Sequence, residues 1–153
     1  MEYIKDSVRE PPQTCVFCAL ASPGDDRERL VLYRGRKTFV LMNKYPYNNG
    51  HLLVLPLTHA GRLDALDPET FTELHQTLLV AVTVLQKILE PHAMNVGMNL
   101  GPAAGAGIPD HLHYHVVPRW SGDTNFMPVL SETKIISQHI RDTYDQLEPG
   151  FRV

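Results

Sequence analysis

Polar and apolar positions alternate most strictly at residues 111–116, where histidine takes turns with an apolar partner: His111, Leu112, His113, Tyr114, His115, Val116. Successive side chains of a β-strand point to opposite faces, so the segment 111–118 is predicted to be a strand with three imidazoles on one face. A helix, turning about 100° per residue, would direct His113 away from the other two. Apolar runs at Leu30–Tyr33, Thr38–Met42, His51–Pro56 and Ala93–Leu100 predict four more strands. The first two are joined by a hairpin-like Arg34-Gly35-Arg36-Lys37, and Tyr45–Gly50 reads as a loop.

The period changes after Asp67-Pro68-Glu69, a helix start with an N-cap residue, a proline and an acid in the first turn. Phe71, Leu74, Leu78, Val82, Leu85 and Leu89 then recur every three or four residues before Pro91, predicting one long helix whose stripe covers a sheet. Ile136, Ile140, Tyr144 and Leu147 predict a shorter C-terminal helix. Strands on both sides of a long helix, linked by short connections, give an α+β class with an antiparallel sheet.

At 153 residues and 43% hydrophobic composition, the chain is predicted to form a single domain over 1–153, with residues 1–14, which include Pro11-Pro12, as an irregular N-terminal arm. A net charge of −3 offers no basic field for a nucleic-acid backbone, so no bulk nucleic-acid binding is expected. There is no run of eighteen apolar residues and no basic-then-apolar start, so no membrane association and a cytoplasmic location are expected. The two cysteines, Cys15 and Cys18, form a C-x-x-C pair, which in a reducing compartment suits metal binding or redox chemistry.

Three imidazoles on one sheet face are costly to bury unless each finds a partner. The residues alone leave metal binding and phosphate chemistry open. The His-x-His-x-His segment followed by Pro118-Arg119-Trp120, the run Gly50-His51-Leu52-Leu53-Val54-Leu55-Pro56, and Cys15-x-x-Cys18 together resemble the histidine triad family of nucleotide hydrolases and transferases. The resemblance spans a family core at 15–125, with 126–153 as a C-terminal extension carrying a helix. It implies a homodimer with one continuous sheet.

The resemblance further implies attack on the α-phosphate of a nucleotide by His113, with His115 contacting phosphate oxygens and His51 as an additional histidine beside the triad. A neutral imidazole held in one tautomer is a competent nucleophile, in agreement. In the zinc-containing bacterial members the matching residues Cys15, Cys18, His59 and His111 form a closed Cys₂His₂ set, which implies a structural zinc. No organic cofactor is expected.

For nucleotide binding, Asn43 matches a ribose-contacting position and Asn99 an amide that orients phosphates, while Gly105 and Gly107, with Gly101, would let main-chain amides approach phosphate oxygens. Phe39, Leu41 and Lys44 are nearby base-pocket candidates. The chain departs from the family where many members carry Gly-Gln-Ser or Gly-Gln-Thr; it has Gly105-Ala106-Gly107-Ile108-Pro109-Asp110. Pro118-Arg119-Trp120 resembles the branch acting on dinucleoside polyphosphates, diadenosine tetraphosphate hydrolases and phosphorylases, with Arg119 on phosphate and Trp120 stacking on the far nucleotide. The alternatives are a purine nucleoside phosphoramidase or adenylyl-conjugate hydrolase, a non-catalytic zinc-stabilised nucleotide-binding module, and a catalytic metal on the three histidines.

Overall fold

The computed structural model describes residues 15–126, 131 and 135–152; the predicted arm 1–14 lies outside them. Five strands form one antiparallel sheet: β1 (Val31–Arg34), β2 (Thr38–Met42), β3 (Leu52–Pro56), β4 (Ala93–Met98) and β5 (Tyr114–Arg119), in the order β1-β2-β3-β5-β4. A short helix α1 (Val16–Ala21) precedes β1, the long helix α2 (Pro68–Leu89) joins β3 to β4, and α3 (Ile140–Leu147) follows β5. The α+β class and its two expected helices are present. No helix among the described residues is long and apolar enough to cross a membrane.

The helix start is built as its residues dictate. Asp67 accepts hydrogen bonds from the Glu69 and Thr70 main-chain N–H groups, Pro68 occupies the first turn, and the helix ends at Glu90 in a left-handed conformation just before Pro91. The buried stripe is rotated from the predicted one. Leu74, Thr77, Ala81, Val84 and Leu85 face the sheet, Phe71 is 44% exposed, and Leu78, Val82 and Leu89 lie at the flank. Hydrophobicity alone overlooked Thr77, whose hydroxyl is paired at 2.8 Å with that of Thr38 and is therefore tolerated in the interior. Ile136 likewise falls before α3, which begins at Ile140 with His139 as its cap.

Alternation along the strands separates two apolar layers. Val40, Met42, Leu52, Val54 and Val116 pack against α2 and α3, while Phe39, Leu41, Leu53, Leu55 and Val31 face the other side, where Phe17 of α1 covers them. His115 lies opposite Leu53 in the β3–β5 register, so it shares this second face. Gly50, at φ 72°, turns the chain into β3 against Leu89 and Pro118, where any Cβ would collide with the Leu89 side chain.

Candidate active site

The histidine segment is less regular than its alternation suggested. β5 begins at Tyr114, and only His115 of the three lies within it. Upstream, the Leu112 N–H donates to the Ala60 carbonyl at 2.7 Å, so the chain leaves the ladder and leans on the loop after β3. Gly61 permits this approach, because a Cβ there would lie 2.9 Å from the Pro109 carbonyl oxygen. The consequence is that His113 Nδ1 lies 2.9 Å from the main-chain oxygen of His111. A carbonyl can only accept, so Nδ1 carries the proton and Nε2 keeps the lone pair. Burial pushes the His113 imidazole down from its ordinary value, with the His111 carbonyl pulling weakly the other way, so the neutral form prevails near pH 7.

A second chain of hydrogen bonds has an equally defined direction. The Tyr47 main-chain N–H donates to His51 Nδ1 at 3.0 Å, which forces the proton of neutral His51 onto Nε2. That Nε2–H donates to His115 Nδ1 at 2.9 Å. His115 therefore carries its own proton on Nε2, a buried atom with no protein partner among the described residues. Burial, with a smaller contribution from His113, pushes His115 down to about 4. Its ring stands edge-on to His113 at 4.9 Å between centroids. A lone-pair nitrogen on His113 beside a desolvated N–H donor on His115 is an arrangement for attack on an electrophile whose oxygens gain charge.

His111 faces another cluster. Its Nδ1 is 3.4 Å from Cys15 Sγ and 3.6 Å from Cys18 Sγ, and Cys18 Sγ is 3.4 Å from His59 Nδ1. All four donor atoms lie within 4.8 Å of one another. A tetrahedral ion with sulfur and nitrogen ligands sets such atoms about 3.5 Å apart, so the set fits a metal ion with no coordination position left open. His111 Nε2–H donates to the Pro56 carbonyl at 2.9 Å, leaving Nδ1 as the ligand nitrogen and supplying the outer partner that ligating histidines require. Burial, then the Cys15 thiol, pushes the Cys18 thiol up; metal charge would offset this.

The other predicted residues fall into two groups. Asn99 borders the loop of Gly101–Gly107, with its amide nitrogen 4.0 Å from where a Cβ on Gly105 would stand, and Gly105 takes a positive φ of 87°. Asn43 holds its own loop, accepting from the Tyr45 N–H at 3.0 Å and approaching His51 Nδ1 at 3.4 Å. Phe39 is fully buried in the apolar layer and offers no surface to a base. Arg119 is engaged within the protein: its Nε and Nη2 each donate at 2.8 Å to Asp123, whose carboxylate also accepts from Asn48 at 2.7 Å and from the Trp120 N–H at 3.0 Å. This fork engages Nε and Nη2 of the guanidinium within the protein. Trp120 lines a groove with Asn48, Asp123 and Ser137.

Two site residues escaped the sequence reading. Phe17 packs on both His111 and His113, with centroids at 5.5 and 5.1 Å, and Tyr47 stacks over His115 and lies tilted against His51. The only signal for Phe17 was its place between the two cysteines.

A family model described as the HIT domain matches residues 26–122. The chain is 43% identical over 118 residues, 77% of its length, to an AP-4-A phosphorylase of Mycobacterium tuberculosis, of which it spans 60%. It is 33% identical over 93 residues, 61% of its length, to an asymmetrical bis(5'-nucleosyl)-tetraphosphatase of Schizosaccharomyces pombe, of which it spans 50%. Among solved structures it superposes on a Zn-bound histidine triad family protein from Mycobacterium smegmatis with a TM-score of 0.70 at 25% identity, over 90% of this chain and 93% of that one. A hypothetical histidine triad nucleotide-binding protein from Sulfolobus tokodaii gives 0.68 at 26% identity, over 90% and 89% of the two chains.

Proposed function

The chain belongs to the HIT domain family, and on that premise we propose that it cleaves dinucleoside polyphosphates, foremost diadenosine tetraphosphate, at an α-phosphate through a nucleotidyl-histidine intermediate. The observation that carries this reading is the His111 carbonyl on His113 Nδ1, which leaves Nε2 as the nucleophile. Nε2 bonds to the α-phosphorus as the P–O bond to the departing nucleoside polyphosphate breaks. The His115 Nε2–H, desolvated and directed through His51, stabilises charge on the phosphate oxygens. An acceptor oxygen then displaces the imidazole. Asn99 and the main-chain amides around Gly105 and Gly107 take further phosphate oxygens, and Trp120 stacks on the second nucleotide.

Diadenosine tetraphosphate, supplied with and without inorganic phosphate, tests this. ADP and ATP formed only with phosphate identify phosphate as acceptor, as the name of the 43% identical relative suggests. AMP and ATP identify water. An intact substrate under both conditions would overturn the assignment.

In the same reading the Cys15, Cys18, His59 and His111 cluster holds a structural zinc ion, supported by the spacing of the four donors and by the Zn-bound neighbour. The cytoplasm, which keeps the two thiols reduced, is the matching compartment. The protein acts as a homodimer. β4 is an edge strand with Val96 45% exposed, and Phe71, 44% exposed, continues the apolar surface through His75 to Tyr114 on neighbouring β5. Light scattering is expected to return twice the mass of one chain; a monomer at micromolar concentration sinks this part.

A further inference from the structure

Tyr47 does not behave as a loop tyrosine with nothing to do. Its ring lies nearly parallel to His115, at 15° and 5.5 Å between centroids, and 4.5 Å from the ring of His51. It remains 52% exposed, so it is not there to fill the interior. The loop places it deliberately. Asn43 ties one end, with its N–H donating to the His51 carbonyl at 2.9 Å and its side chain accepting from the Tyr45 N–H. Asn48 ties the other, donating at 3.0 Å to the Pro118 carbonyl and at 2.7 Å to Asp123, itself clamped by Arg119. The two anchors, each also bonded to the main chain of His51, thus fix where the ring must lie.

We propose that Tyr47 is a positioning residue for His115: its ring seals one face of the imidazole against water and holds the plane in which Nε2–H meets the substrate's phosphate. An aromatic ring offset-stacked on an imidazole restrains it at small entropic cost, because a tyrosine has two torsions to lose. Among the described residues, the groups facing His115 are His113 on its own segment, His51 at the head of β3, and Tyr47; β3 sets Leu53 and β4 sets Gly97 opposite it. With no acid among these, water exclusion governs the titration of His115, consistent with burial as the first cause of its lowered value. The inference rests on the reading of His113 and His115 as the reacting pair.

The test compares Tyr47→Phe and Tyr47→Leu with the wild type, using imidazole NMR titration of the free protein and the pH dependence of kcat/KM. In Tyr47→Leu, water reaches the ring, so the His115 midpoint is expected to rise towards the ordinary imidazole range. The acid limb of kcat/KM should rise with it, and kcat fall about 10- to 100-fold with KM little changed. Tyr47→Phe, which keeps the ring, should restore all three. A purely structural role would lower the melting temperature and leave the His115 midpoint in place. An unmoved midpoint in Tyr47→Leu, or a loss in Tyr47→Phe as deep as in Tyr47→Leu, overturns the proposal. The titration needs no substrate, so it decides the matter even if diadenosine tetraphosphate proves to be the wrong one.

Discussion

Replacing His113 with alanine is expected to abolish turnover of diadenosine tetraphosphate, by on the order of 10⁴-fold or more, as removal of a covalent nucleophile does elsewhere. The magnitude follows from what is lost. Among the described residues, His111 points its lone pair at the cysteine cluster, and His115 has its Nδ1 occupied by His51 and its other nitrogen protonated, so neither replaces the lone pair on His113 Nε2. The ring is 6% exposed and touches Phe17, so the variant also leaves a small void costing about 1–3 kcal/mol. Initial rates, read beside a melting curve, separate the two effects. A second readout is the intermediate itself. Wild-type enzyme mixed with substrate and quenched in alkaline denaturant should gain the mass of one nucleotidyl group, and His113→Ala should not. Activity within tenfold of wild type in the variant would show that another group forms the bond.

Removal of the metal is expected to have the next largest effect, on stability first and on rate through it. Protein as purified should carry one zinc ion per chain. A ligand that binds only the folded state stabilises by about 4 kcal/mol when present at a thousandfold excess over its dissociation constant, which for a chain of this size corresponds to about 10 °C in melting temperature. Stripping the ion with a chelator, or substituting Cys18→Ser, should lower the melting temperature by about that amount. The rate should fall in parallel, because α1 carries Phe17 against His113 and is fastened through the cysteines. Restoring zinc should restore both. Loss of activity with an unchanged melting temperature would point instead to a metal acting in the reaction on the three histidines.

The parts of the structure legible in the sequence are those whose signal is local. Asp67-Pro68 and Pro91 bracket α2 because capping and the imino acid act within a turn of themselves. The alternation placed His113 beside His115, with ring centroids 4.9 Å apart, although only His115 lies in a strand. Where partners come from far away, pattern reading fails: Thr77 is buried by virtue of Thr38, thirty-nine positions away, so the helix face was misjudged. The start of β5 was misplaced because Ala60 draws residue 112 out of the ladder, an event no window around the histidines contains. The six residues of α1 are too few to display a period, which also hid Phe17. The resemblance of Pro118-Arg119-Trp120 gives no sign of the Asp123 fork that holds Arg119, because that pairing depends on how the turn after β5 folds.

At position 111 the side chain and the main chain are employed separately. The imidazole belongs to the cysteine cluster, whereas the carbonyl of the same residue directs His113. Every amino acid supplies a carbonyl, so the contact that directs His113 makes no demand on the identity of the residue providing it. Alanine scanning would credit it with holding an ion and nothing more; only an amide-to-ester replacement between residues 111 and 112, which weakens the acceptor and spares the ring, would expose its other employment.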